Sequence, residues 1–520
     1  MAVLMDLFSN IGLGLATALM PANLLYCFLG VLLGMVVGVL PGIGALAAIS
    51  MLFPITFHLE PTAALIMLAG LFYGTAYGGS TAAILLNVPG TPSSAVAALD
   101  GYPMSRQGRG GVALFLTTIA SFVGGSIGIV IMMVFSPVIQ KYALDFSAQE
   151  YFALMVLGLV AASTMASDSP VKGFAMMILG LLIGSIGFDV FSGRGRLDFG
   201  IYELFEGVSI VAVTMGIFGV GEIIKVINQP LDHKVTSKKI TMRSMLPTRE
   251  DLRRSTFPTL RGSVIGSFFG ALPGTGALIA SFMAYSAETR ISKDKSIFGK
   301  GAVEGITAPE AANNAADQTA FIPTLTLGIP GSATMALMIG VLMIHGIAPG
   351  PQLITGRPDL FWGLVMSFWI GNVILVILNI PFIGLWVRLL QVPPTILYPV
   401  ILVLVGIGAY SVENSHFDVL MIAIFGVLGY LMQVFRYPAA PLILAFVLGP
   451  MLEENFRRSM VLARGDLTTF FQRPISGTVM ICVAALLFWS LYKGITRFSR
   501  KARQPRGAAA ERVVGSTSSD

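Results

Sequence analysis

The chain has 520 residues, 55% hydrophobic and only 12% charged, with a net charge of +6; its mean hydropathy is +0.81. Soluble domains carry about 25% charged residues, so this composition excludes a soluble globular protein. The excess positive charge falls in loops and the tail, where it reads as membrane topology and not as nucleic-acid binding.

Apolar runs fill residues 24–40, 111–135, 152–165, 174–186, 362–380, 396–407 and 479–491. Several approach the roughly 20 residues that span a bilayer as a helix. The expected fold is therefore all-α, a polytopic integral membrane protein. Residues 1–22 form an N-terminal segment with no basic n-region, and the first Lys or Arg is Arg106. An outside N-terminus without a cleavable signal peptide is expected.

The next segment, 23–228, opens with Gly30, Gly34 and Gly38 and the stretch "GVLPGIGALAAIS", which carries Gly42 and Gly44. It continues to "NVPGTPSSA", with Asn87, Pro89, Gly90, Thr91, Ser93 and Ser94. A basic stretch, 229–256, follows. Segment 257–454 then repeats the pattern. Gly262, Gly266 and Gly270 lead into "GALPGTGALIASF" with Gly274, Thr275 and Gly276, and later into "GIPGSATMA" with Gly328, Pro330, Gly331, Ser332 and Thr334. Two motifs in one order, each duplicated, indicate two homologous halves. Residues 455–496 add a loop and a final transmembrane helix, and 497–520 a basic tail expected to be disordered and cytoplasmic.

The halves are expected to be inverted. The turn "ITFHLEP" of the first half has no Lys or Arg, whereas its counterpart holds Arg290, Lys293, Lys295 and Lys300. After the second motif the bias reverses: Arg106 and Arg109 in the first half face a counterpart loop with only Arg357. Positive loops remain cytoplasmic, so corresponding loops belong on opposite sides, with the linker and C-terminus cytoplasmic. Arg194, Arg196, Arg457, Arg458 and Arg464 fit poorly, because they fall on the outside. Inverted repeats with paired, Gly/Pro-interrupted apolar segments point to a secondary transporter and its binding site.

A Pro-Gly break frees backbone donors and acceptors, which lipid does not satisfy, so broken or re-entrant helices lie inside protein or against a wet cavity. Their N-terminal ends favour an anion and their C-terminal carbonyls a cation. The hydroxyl and amide groups around both breaks suit an organic acid. The glycine ladders are better read as close helix packing. A separate stretch, "APEAANNAADQTAFIP", places Glu310, Asn313, Asn314 and Asp317 on one helical face. Acids at membrane depth are functional candidates; here they would hold sodium or a proton, or position a gate. The competing reading is a solvated helix end. The first half offers Tyr73, Tyr77, Ser80 and Thr81 instead.

Asp168 and Asp189 read as solvated acids at segment ends, and Glu413, Asn414 and His416 as an external turn. Cys27 and Cys482 sit in apolar runs and the four histidines are scattered, so neither a disulfide framework nor a metal centre is expected. No nucleophile–base constellation and no GxxxxGK[ST] phosphate loop is present, so neither an enzyme nor an ATP-hydrolysing chain is expected.

The stretches "GVLPGIGALAAISMLFP", "YGGSTAAILLNVPGTPSSAVAALDGYPMSRQGRGGVAL" and "APEAANNAADQTAFIPTLTLGIPGSATMALMIGVLMIHGIAPGPQL" resemble the large membrane subunit of the tripartite tricarboxylate transporter family (TctA-like permeases), over about residues 24–458. The resemblance implies a bacterial inner-membrane permease. It would work with a small four-helix membrane subunit and a periplasmic solute-binding protein. It would import di- or tricarboxylates such as citrate on a sodium or proton gradient, with no cofactor beyond a coupling ion. A stand-alone carboxylate carrier is the alternative.

Overall fold

The computed structural model describes residues 2–40, 44–165, 169–189, 191–227, 240, 242–272, 274, 276–390, 398–399, 402–403, 405–408, 410 and 414–503. The first half comprises α1 (Ala2–Ala18), α2 (Pro21–Val39), α3 (Ala45–Thr56), α4 (Pro61–Leu86), α5 (Ala95–Met104), α6 (Gly110–Ala143), α7 (Ala148–Met165) and α8 (Pro170–Gly184). A short antiparallel hairpin follows, β1 (Gly187–Asp189) with β2 (Arg194–Arg196). It leads to α9 (Ile210–Thr214) and α10 (Gly221–Ile227), which are joined by a π-helical stretch, Met215–Val220.

The second half runs through α11 (Arg249–Gly270), α12 (Gly276–Ile291), α13 (Glu304–Thr319), α14 (Phe321–Leu327) and α15 (Ala333–Ile344). It continues through α16 (Gln352–Gly356), α17 (Pro358–Asn379), α18 (Ile383–Leu389), α19 (His416–Val434) and α20 (Ala439–Leu462), with α21 (Thr469–Gln472) and α22 (Pro474–Arg503) closing the chain. The protein is all-α and polytopic; among the described residues six helices are long and apolar enough to cross a membrane. Two boundaries differ from the sequence reading. α11 begins at Arg249 inside the expected linker, because Thr248 and Asp251 form a reciprocal capping box there. α22 runs to Arg503, into the expected tail.

The halves pack by the same rules. In the first, Gly30, Gly34 and Gly38 of α2 lie so close to α4 that an added Cβ would strike the carbonyl oxygens of Met67, Leu71 and Thr75. In the second, Gly262, Gly266 and Gly270 of α11 meet those of Ala308, Ala312 and Ala316 on α13. This is the small-residue helix contact of membrane interiors. Other contacts exchange between the halves. The hydroxyl-rich stretch 91–94 rests on α12 while α15 rests on α3, and α8 packs on α20 while α19 packs on the α9–α10 segment.

α4 runs antiparallel to α13–α14: Ser80 bonds Glu310, and the Tyr73 and Phe321 ring centroids are 6.4 Å apart. Corresponding loops therefore sit at opposite ends of the bundle. At one end the loop after α5 meets the one before α13, where Gln107 donates to the Lys300 carbonyl. Arg109 pairs with Asp251 at 2.6 Å there, and Arg254 grips Glu304 through two nitrogens. The other end is about 50 Å away along the 34 residues of α6. There Ala143, Pro351, Asn455 and Arg458 gather around a cavity of about 230 Å³. The two halves are thus inverted repeats.

Candidate functional site

The helix preceding each broken motif ends on a left-handed cap. Asn87 (φ 58°) closes α4 and Gly328 (φ 69°) closes α14. The chain then doubles back. The Gly90 amide donates to the Gly79 carbonyl at 3.4 Å, and Gly331 lies beside Ala320. Gly79 and Ala320 both lie within about 7 Å of the middle of the α4–α13 crossing. A half-helix starts at each point. Thr91 and Ser94 form a reciprocal capping box ahead of α5, and Ser332 caps α15 by accepting from the Met335 amide at 3.3 Å. α5 then runs toward the basic end, where Met104 reaches Gly301. α15 runs the other way. Two hydroxyl-capped N-termini thus face the middle of the bundle from opposite directions, an arrangement that favours an anion.

Each broken motif closes on the C-terminal end of the glycine-ladder helix of its own half, α2 or α11. Gly90 sits against the Gly38 carbonyl; an added Cβ on Gly331 would lie 3.6 Å from the Gly270 carbonyl oxygen, and the Gly331 carbonyl accepts from the Gly274 amide at 2.9 Å. Gly274 and Gly276 have positive φ and Gly44 caps α3. Gly42 and Thr275 lie outside the described residues. Pro89 is exposed, Ser93 and Ser332 are half-buried, and Thr91, Ser94, Pro330 and Thr334 are buried. The Ser93 hydroxyl lies 3.3 Å from that of Thr91. Among the described residues no hydrogen bond joins one motif to the other.

α13 departs from the sequence expectation. Its Ala-rich sequence favours helix, yet it is polar and still buried on every side, from Gly305 to Thr319. Glu310 is 1% exposed and Asp317 5%, which overturns the solvated helix end. The Ser80 and Ser121 hydroxyls donate to Glu310 Oε1 at 2.7 and 3.1 Å, and Asn314 donates to Ser121 at 2.8 Å. The four predicted residues do not act alike. Glu310 and Asn314 are tied into this network, whereas both amide atoms of Asn313 are buried without a partner. Among the described residues neither Glu310 nor Asp317 has a cationic side chain in ion-pair range.

Sequence reasoning missed Asp100. This fully buried carboxylate on α5 accepts from the Gly301 and Ala302 amides, both at 2.8 Å, and from the Tyr285 hydroxyl at 3.0 Å. It ties the half-helix of one repeat to the start of α13 in the other. A lone acid within "AVAALDGYPM" was the available signal.

Three of the five arginines expected outside find carboxylates: Arg196 pairs with Glu453, Arg457 with Glu453 and Asp189, and Arg458 with Glu454. Arg473 pairs with Glu150. Asp189 is not a solvated end. It is buried, and the Ser192 hydroxyl, outweighing burial together with the Phe191 amide, Arg457 and Arg196, holds its carboxyl below the usual value. Asp189, Arg196, Glu206, Glu453 and Glu454 edge a largely apolar cavity of about 840 Å³ between α8, the hairpin, α20 and the end of α15 at Gly340 and Met343. Asp168 and Glu413 lie outside the described residues.

Residues 24–444 match the family model described as Tripartite tricarboxylate transporter TctA family. The chain is 48% identical, over 95% of its length and 98% of the relative's, to an uncharacterized 52.8 kDa protein in the TAR-I ttuC' 3'region of Agrobacterium vitis. A second protein of that organism, uncharacterized and in the TAR-II ttuC' 3'region, is 50% identical over 44% of this chain and 95% of its own. No solved structure matches the chain.

Proposed function

The chain belongs to the tripartite tricarboxylate transporter TctA family, and on that premise we propose that it is the large permease subunit of a binding-protein-dependent secondary transporter. It imports di- or tricarboxylates across the bacterial inner membrane, driven by a sodium or proton gradient. Its N-terminus is periplasmic and its C-terminus cytoplasmic. A periplasmic solute-binding protein delivers the carboxylate, and a small four-helix membrane subunit completes the complex.

The observation that carries this reading is a buried carboxylate, Asp317, with no cationic partner among the described residues. It lies at the crossing that both half-helix N-termini face. An ionised group in such a setting requires a bound cation, a proton or water. The hydroxyls and amides of the half-helices suit the anion, with Gly44 and Gly276 at the starts of α3 and α12. Anion and cation thereby stabilise each other's binding, which is the basis of symport.

The test is uptake of labelled carboxylates into proteoliposomes holding the complete complex. Accumulation should require the binding protein and an imposed sodium or proton gradient, and Asp317→Asn should lower the accumulation ratio more than protein abundance. Accumulation that needs neither gradient refutes the secondary-transport reading. Full uptake without the binding protein would make the chain a stand-alone carrier.

A further inference from the structure

Segment 187–206, which joins α8 to α9, is mostly irregular: two strands of three residues each and one short 3₁₀ turn, Tyr202–Glu206. Yet Phe188, Phe191, Leu197, Phe199, Tyr202 and Phe205 are all exposed, Phe199 to 76% and Tyr202 to 88%. Leu197 and Phe199 are held at φ of 52° and 50°. Bulky side chains rarely adopt that conformation, and it persists only where the surroundings enforce it. Two of the rings are braced. Phe188 lies against Phe205 with centroids 5.5 Å apart, and the Arg457 guanidinium of α20 sits over Phe191 at 5.0 Å. Apolar side chains on a membrane helix face lipid, but irregular backbone is not tolerated against hydrocarbon. The patch therefore lies at headgroup level or in water, where a contiguous apolar surface marks an interaction site. Arg457 pairs with Asp189, and its neighbour Arg458 lines the cavity at the end of the bundle opposite the basic loops.

Charge decides what covers it. Among the described residues Asp198, Glu203 and Glu206 form no ion pair, and neither does Arg194. Three free acids thus face one free base. Anionic lipid is repelled by such a surface, whereas a basic protein face is drawn to it. Exposed aromatic rings are also the usual anchors of protein interfaces. The cavity of about 840 Å³ adjoins the patch, with Phe188, Phe191 and Glu206 among its lining. We propose that segment 187–206 and this cavity are the docking surface for the solute-binding protein, which meets them with a positively charged face. An apolar side chain of the partner fills the cavity, and a Lys or Arg beside it pairs with Glu206. The inference rests on the binding-protein reading above, and on the orientation that makes this end periplasmic. The small membrane subunit does not fit, because it packs within the hydrocarbon and this segment lies beyond it.

The test places photoreactive benzoylphenylalanine at Tyr202 in the complete complex, in cells that take up carboxylate. Tyr142, 66% exposed near the same end of the bundle, serves as the control position. An adduct with the solute-binding protein should form at position 202 and not at 142. An adduct with lipid, with the small subunit or with a second copy of this chain overturns the proposal, as does equal labelling from both positions. Proteoliposomes give the second measurement. Phe199→Asn, which suits the left-handed backbone, and Tyr202→Ser remove exposed rings and should fold. Each should raise the binding-protein concentration needed for half-maximal uptake about tenfold, with the rate at saturation unchanged. Glu206→Lys should raise it most at low salt, and the difference should shrink as salt screens the charge. Unchanged concentrations in all three variants defeat the docking surface alone. Uptake that needs no binding protein defeats the transport reading on which it rests.

Discussion

α4 and the α13–α14 pair occupy corresponding places in the two halves. Each is packed by a ladder of three glycines from the preceding long helix, ends on a left-handed cap, and leads into a hydroxyl-capped half-helix. Their chemistry differs. α4 presents Tyr73, Tyr77, Ser80 and Thr81 where α13 presents Glu310, Asn313, Asn314 and Asp317, and both are buried. Duplication kept the backbone contacts, because a glycine whose Cβ would strike a carbonyl oxygen cannot drift. Side chains facing the crossing were free to diverge. A symmetric scaffold thereby carries an asymmetric charge, with the acids on one helix and part of their hydrogen-bonding shell on the other.

The largest expected effect tests the shared part. Gly34→Leu and Gly266→Leu each force a side chain into the carbonyl of Leu71 or Ala312. Overpacking commonly costs about 1–3 kcal/mol and occasionally more; with backbone as the obstacle, both should fall at the high end. Folded protein recovered from membranes should drop about tenfold for both. If one half tolerates the change, the two ladders are not equivalent.

A smaller effect tests the asymmetric part. Asp100→Ala leaves the Gly301 and Ala302 amides and the Tyr285 hydroxyl without their shared acceptor. Hydrogen bonds to a charged group contribute roughly 1.5–3 kcal/mol each, and they are not additive. A loss of about 3 kcal/mol in detergent is expected, visible as a lower unfolding midpoint, with Asp100→Asn recovering part of it. An unchanged midpoint for Asp100→Ala would mean that the half-helix and α13 are not joined there.

The smallest effect compares the caps. Thr91→Ala and Ser332→Ala each remove an N-cap hydroxyl, worth about 1 kcal/mol. Both should lower stability slightly and by similar amounts. Ser93→Ala, which caps nothing, should leave stability alone while raising the carboxylate concentration needed for uptake. If Ser93→Ala transports like wild type, that hydroxyl is packing only.

Much of this was readable in the chain. The paired motifs marked the repeat, and the contrast between "ITFHLEP" and the loop of Arg290 to Lys300 marked the inversion. The burial of α13 was not legible, because inside a membrane protein a polar helix can be covered by other helices, and its hydropathy then says nothing about depth. Asp100 was missed because its partners are backbone amides some two hundred residues away. Arg196 and Arg457 looked misplaced for a related reason: Glu453 and Asp189 neutralise them only once the chain is folded. The left-handed caps at Asn87 and Gly328, aligned in the two motifs, had a signal that passed unused, since both residue types favour that conformation.

The claim on which the rest depends is that the halves share one backbone in opposite orientations. It is tested by single cysteines at His58 and Ser296, exposed residues in the corresponding loops before α4 and α13, in a background with Cys27 and Cys482 replaced by serine. Labelling uses a membrane-impermeant maleimide. His58→Cys should label in intact spheroplasts, and Ser296→Cys only after the membrane is opened. Labelling of both from the same side would contradict the inverted repeat and with it the opposed half-helices.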